Sequence, residues 1–271
     1  MRETERDHQI VRWVYEYRIL SQAQLQRLAG KSRSTVQQAL VRLYHHRYLE
    51  RVFLPVAYGG SSPTLYILDT RGIALLQRLG VEDFSGLPSR GLSGVFLEHT
   101  LAMNDFRIAV TEACERLGWR IAVWRTENAI KADYDRVAVR TRGKVEVVPI
   151  VPDSYFVVEI PDRGVSHFFL ELDRATMTLR RFKTKIAGYV EYYKSGGYQK
   201  RFGAQGFRVL TVVDAPGTVR VENLVKDSES IPGIGRRFWF AHLPDLTPER
   251  VLTGQVWRIG GHAAPESLFT P

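Results

Sequence analysis

Apolar and polar positions near the start of the chain follow a helical rhythm. From Asp7 to Tyr17 the residues Ile10, Val11, Trp13, Val14 and Tyr17 recur three or four apart, with Arg12 and Glu16 on the other side. This spacing predicts a helix with one buried face. Ser21 is a suitable N-cap for a second, short helix carrying Leu25 and Leu28. Gly30 follows it, the residue that commonly ends a helix in the left-handed conformation. Ser32 or Ser34 can cap a third helix, whose stripe Val36, Leu40, Val41, Leu43 and Tyr44 is expected to be buried. Two β-rich runs, 48–56 and 64–68, flank a Gly/Ser/Pro stretch at 57–63, which predicts a hairpin. Asp69-Thr-Arg-Gly then opens a fourth helix from Ile73 to Leu79.

Two short helices joined by a Gly-containing turn, then a helix and a hairpin, fit a winged helix-turn-helix over residues 1–81. Lys31, Ser32, Arg33, Ser34, Gln37, Gln38, Arg42 and Arg47 lie on or beside the third helix. Arginine pairs with guanine and glutamine with adenine, while hydroxyl and lysine groups hold phosphate at a helix start. These eight are therefore the candidate contacts to double-stranded DNA. A protein-binding winged helix is the alternative reading. His45 and His46 fit solvent or phosphate better than a metal. Lys31-Ser32 is not a phosphate-binding loop of the Walker type, because Leu25 stands where its first glycine belongs.

Residues 82–94 are rich in Gly, Ser and Pro and read as a linker. Beyond it, over 95–271, a long amphipathic helix is expected from Phe96 to Leu117, stopped by Gly118. Strand-like runs follow at 120–125, 137–139, 145–151, 155–160 and 166–173. A helix at 177–194, a strand at 207–213, a short helix at 219–226 and a strand at 237–240 complete an α/β domain with a mixed sheet. No G-x-G-x-x-G follows any of these strands, which excludes a dinucleotide-binding domain. The fold class expected for the whole chain is thus two-domain α+β.

Charge sharpens this picture. The 271 residues carry a formal net charge of +9, which favours a polyanionic partner. Between 18 and 51 there are seven basic residues and one acid, Glu50, so the excess is concentrated where the helix-turn-helix is expected. No uncharged apolar run is long enough to span a membrane. The charged N-terminus lacks a signal-peptide core, so a cytoplasmic protein is expected. The one cysteine, Cys114, has no partner for an internal disulfide.

Candidate chemistry sits in the second domain. Strand residues two apart share a face, so Glu171 and Asp173 project together. Asp153 starts the preceding strand, and a hairpin turn at 160–164 brings the two strands side by side. Three convergent carboxylates repel one another unless a cation compensates, and Mg²⁺ is held by such groups. An internal salt-bridge network is the alternative. A basic, tyrosine-interleaved stretch at 177–201 offers either a second phosphate surface or a solvated helix face. His99 could join the carboxylates or be structural.

Pro152-Asp153, then Glu171-Leu-Asp173, within this order of helices and strands, resembles the PD-(D/E)xK restriction-endonuclease-like fold. The chain as a whole resembles the replication-relaxation family of bacterial mobile elements and plasmids. That resemblance rests on the N-terminal winged helix, Leu97-Glu-His-Thr-Leu-Ala-Met-Asn-Asp-Phe-Arg107, Pro152-Asp153, Phe168-Phe-Leu-Glu-Leu-Asp-Arg174, Lys185-Ile-x-x-Tyr189 and Phe238-Trp-Phe240. It implies a DNA-binding protein of a plasmid or mobile element, with other replication proteins as partners and a homodimer left open. It also implies a site of Asp153, Glu171, Asp173 and Lys185 that uses Mg²⁺ or Mn²⁺ if active. One departure stands out: the lysine expected two residues after the Glu is Asp173. Lys183 or Lys185 on the next helix could replace it; otherwise the domain is a scaffold.

Overall fold

The computed structural model describes residues 2–54, 62–88, 91–141 and 143–270. Most of the hairpin tip expected at 57–63, and residues 89–90 of the expected linker, lie outside these. The chain forms two compact units, Met1–Ile108 and Ala109–Pro271.

The first unit runs α1 (Glu5–Tyr17), β1 (Leu20–Ser21), α2 (Gln22–Ala29), α3 (Arg33–His45), β2 (Leu49–Phe53), β3 (Thr64–Leu68) and α4 (Thr70–Arg78), then enters α5 (Gly94–Leu117). Each helix start is fixed by its cap. Thr4 with Asp7, and Ser21 with Gln24, form reciprocal capping boxes. Ser32 rather than Ser34 caps α3, and Asp69 caps α4. Gly30 ends α2 at φ 56°. The strands form an antiparallel sheet of order β1-β3-β2.

Two expectations are corrected here. The buried row of α3 is Val36, Ala39, Leu40 and Leu43, a regular i, i+3, i+4, i+7 series; Val41 and Tyr44 are exposed. Ala39 is small enough to have been overlooked as a core position. The boundary between units also falls inside α5 rather than at 82–94. Leu97 packs with Ile19, Leu65 and Ile67, and Ile108 joins the core of α1 and α3. The Asn104 side chain donates to the Tyr17 and Ile19 carbonyls at 3.1 and 2.6 Å. The first part of α5 is thereby a piece of the first unit's core.

The second unit continues with β4 (Arg120–Thr126), α6 (Glu127–Lys131), β5 (Arg136–Thr141), β6 (Lys144–Pro149), β7 (Ser154–Ile160) and β8 (Gly164–Asp173). After these come α7 (Leu179–Ser195), α8 (Gly197–Phe202), β9 (Arg208–Val213), α9 (Val219–Glu229) and β10 (Phe238–His242). A five-stranded mixed sheet has the order β10-β9-β8-β7-β4. β4, β7 and β8 are antiparallel neighbours, whereas β8, β9 and β10 are parallel. Strands β5 and β6 form a separate antiparallel pair rather than joining that sheet.

One cluster of buried side chains joins Tyr155, Val157 and Phe169 of the sheet to Phe182, Ile186 and Tyr189 of α7, Leu224 of α9, and Val137 and Val148 of the β5–β6 pair. Because side chains alternate along β8, Phe168 belongs to the opposite face. There it stacks on Phe156 at 4.9 Å and meets Phe269 edge-on. Residues of β8 that share the Phe169 face, Glu171 and Asp173, are therefore carried into the sheet–helix interior.

Candidate functional site

The surface of α3 is the first candidate. Successive residues advance by one 3.6-fold step, so the face opposite Val36, Ala39, Leu40 and Leu43 is formed by Ser34, Gln37, Gln38, Val41 and His45. All five are exposed, as are Lys31, Ser32 and Arg33 at the helix start. No acidic residue occurs in α3.

The eight candidate contacts are not equivalent. Arg42 donates to Asp7 at 2.6 Å, and the Asp7 side chain is fully buried, so this arginine ties α3 to α1. Arg47 pairs with the α4 cap Asp69 at 3.3 Å. Arg27 is similarly 3.7 Å from Asp105. Arg51 stacks over the Tyr44 ring at 4.1 Å, and Arg18 lies over Tyr15 at 5.3 Å. Lys31 and Arg33 project with no ion-pair partner among the described residues. The basic excess of residues 18–51 is thus partly internal, and its freely presented part lies at the α3 N-terminus.

The second candidate is the carboxylate cluster. Glu171 is buried on β8 and accepts from Tyr189 Oη at 2.5 Å and from Lys185 Nζ. Lys185 and Tyr189 are four apart on α7, so both reach the strand from one helix face. The Asp153 carboxylate accepts from the Leu172 amide at 2.7 Å. Burial pushes the Glu171 carboxyl up to about 7; the Lys185 charge opposes this and Asp153 adds to it. For Lys185, burial favours the neutral amine, but the carboxylates of Glu171 and Asp153 outweigh it and raise its pKa. Beside the pair is a cavity of about 20 Å³, room for a single water.

Asp173 is directed elsewhere. Its carboxylate takes two hydrogen bonds from Arg220 of α9, at 3.1 and 2.6 Å, and one from the Ala175 amide at 2.5 Å. Lys183 pairs with Asp227 at 2.8 Å, so Lys185 is the α7 lysine that reaches Glu171. The structure therefore brings Asp153, Glu171 and Lys185 together and gives Asp173 a separate partner.

A divalent cation does not fit this arrangement as it stands. Among the described residues no three His, Cys, Asp or Glu side chains are grouped to hold a metal ion. The charge that a cation would neutralise is met by an ammonium at Glu171 and a guanidinium at Asp173. Tyr189 and Arg220 are the partners that sequence reasoning missed. Tyr189 carried a signal in its i+4 spacing from Lys185. Arg220, 47 residues beyond Asp173, carried none.

The basic stretch at 177–201 is partly neutralised: Arg180, Arg181 and Lys200 stay exposed, while Lys183 and Lys185 pair as described. Lys194 pairs with Glu191, and Arg201 with Asp133 and Asp135. The Cys114 thiol is buried and pushed up to about 12, as expected of a packing residue. No helix is long and apolar enough to cross a membrane among the described residues. No curated protein and no solved structure matches the chain. A family model described as replication-relaxation matches residues 11–206 of the 271, and the chain belongs to the replication-relaxation family.

Proposed function

We propose that this protein is a DNA-binding component of plasmid or mobile-element replication, with the first unit as a winged helix-turn-helix that inserts α3 into duplex DNA. The carrying observation is the exposed, acid-free face of α3, with Lys31, Ser32, Arg33 and Ser34 at its start and Gln37 and Gln38 one turn on. Helix starts favour phosphate and the glutamines suit base edges. Family membership supports the replication role.

In this reading the second unit is a restriction-endonuclease-like scaffold whose carboxylates are neutralised from within. Its helix α5, strands β4, β7 and β8, helix α7 and strand β9 follow the order of that fold. Affinity for duplex DNA should fall steeply with salt, because released counterions drive phosphate binding. Removing one phosphate contact, as in Lys31→Ala, should lower the log–log salt slope by about one. A salt-independent association, or none with any duplex, would contradict the reading.

The convergence of Asp153, Glu171 and Lys185 favours a second reading, a DNA endonuclease. Incubation of supercoiled plasmid with the protein and Mn²⁺ separates the two. Nicking that disappears in Asp153→Asn would establish the enzyme; an intact plasmid supports the scaffold.

A further inference from the structure

An apolar residue stands in the middle of the polar face of α3. Val41 is 36% exposed and has Gln37 and Gln38 as its i−4 and i−3 neighbours. Side chains three and four apart on a helix lie about 5–6 Å from one another, comparable to the spacing of one to two base pairs. Glutamine offers one donor and one acceptor, the pattern that adenine presents in the major groove, and valine matches the 5-methyl group of thymine. Lysine and arginine, which would favour guanine or phosphate, are missing from this central strip of Ser34, Gln37, Gln38, Val41 and His45. Arg33 stands at the edge, at the helix start.

We infer that α3 reads adenine–thymine steps, with Gln37 or Gln38 bonded to an adenine and Val41 packed on the methyl group of a neighbouring thymine. This rests on the duplex-binding reading and names the class of site it recognises. A protein surface docking on Val41 would need a wider apolar patch; the one exposed aromatic beside it, its i+3 neighbour Tyr44, has Arg51 over its ring at 4.1 Å, and the other neighbours are a serine, a histidine and two glutamines. Those residues suit a groove lined with donors and acceptors.

The test uses the whole chain. Duplexes bound from a randomised library are sequenced, and the best site is remade with deoxyuridine in place of thymine, which removes only the methyl group. The enriched sites should contain adjacent A·T pairs. Deoxyuridine at one position should weaken wild-type binding about fourfold, the worth of one buried methyl. The same replacement should leave Val41→Ala binding unchanged. Val41 is on the surface, so this variant retains its fold, which its thermal melt would verify. Gln37→Ala and Gln38→Ala provide further variants; one of the two should relax preference for adenine about five-fold or more, and an unchanged preference in both overturns the glutamine assignment. Enrichment of G·C pairs, or equal loss from deoxyuridine in wild type and Val41→Ala, overturns the inference while leaving duplex binding intact. Absence of binding to every duplex overturns the underlying reading as well.

Discussion

Arg42 and Lys185 do the same physical work in their respective units: each brings a cation to a carboxylate that folding removes from water. Asp7 has a fully buried side chain and Arg42 supplies its charged donor at 2.6 Å. Arg42→Ala should lower stability by about 1–3 kcal/mol, the cost of a buried acceptor left without its partner, measured by urea denaturation. A change within error would contradict the pairing. Loss of DNA binding in that variant would consequently say little about recognition, whereas Arg33 and Gln37 have no such duty. Breaking the buried Glu171–Lys185 pair with Lys185→Met should cost more, about 3–5 kcal/mol. Glu171 also predicts a pH dependence. The unfolded chain releases this proton near the ordinary value of 4.5 and the native chain holds it to about 7. Its stabilising contribution is therefore complete below pH 4.5 and is lost as the pH rises through about 7. Unfolding free energy measured from pH 5 to 8 should fall less steeply with pH in Glu171→Gln than in wild type. Equal slopes would refute the assignment, whatever the variant's absolute stability.

At the scale of elements, two glycines mark where helices approach backbone or side chains too closely for a methyl group. A Cβ at Gly72 of α4 would lie 2.2 Å from the Tyr48 carbonyl oxygen; at Gly188 of α7 it would meet Val148 of β6 at 2.8 Å. Replacing a helical glycine with alanine ordinarily stabilises by up to about 1 kcal/mol. Here Gly72→Ala and Gly188→Ala should each destabilise, by about 1–3 kcal/mol for overpacking, and a raised melting temperature would contradict the packing. Nothing in the sequence marks Gly188, since the β5–β6 pair it touches is distant along the chain. Elements themselves were far more legible. Caps at Ser21 and Asp69 and the stop at Gly118 are local signals, and alternation along β8 announced that Glu171 and Asp173 share a face. The short helices α6 and α8 lacked a full apolar period and were not foreseen. Burial on α3 departs from residue type at Val41 and Tyr44, because the regular buried row is completed by the small Ala39. Asp153 and Glu171 were legible from strand alternation and the hairpin between them, Lys185 only as one of two lysines that the family resemblance implied, whereas the diversion of Asp173 depends on Arg220, which only tertiary structure brings near.

For the whole molecule, internal neutralisation decides how charge is used. Several basic residues of the N-terminal cluster and the α7 stretch pair with carboxylates of the same chain, which leaves Lys31 and Arg33 at the α3 start as exposed cations of the 18–51 cluster. Internal cations at Glu171 and Asp173 predict that folding is independent of divalent metal. Millimolar Mg²⁺ or Mn²⁺ should leave the thermal midpoint unchanged, because a ligand stabilises only a state that binds it. A metal-dependent rise abolished by Asp153→Asn would contradict that account. The central claim is that α3 carries duplex recognition, and fluorescence anisotropy of a labelled duplex titrated with the whole chain tests it most directly. At fixed low salt, the wild-type protein should bind and Arg33→Ala/Gln37→Ala should lose at least tenfold in affinity, on the order of the 1–3 kcal/mol carried by a specific base contact. Equal affinity of the double variant and wild type, with both folded by thermal melting, would contradict it.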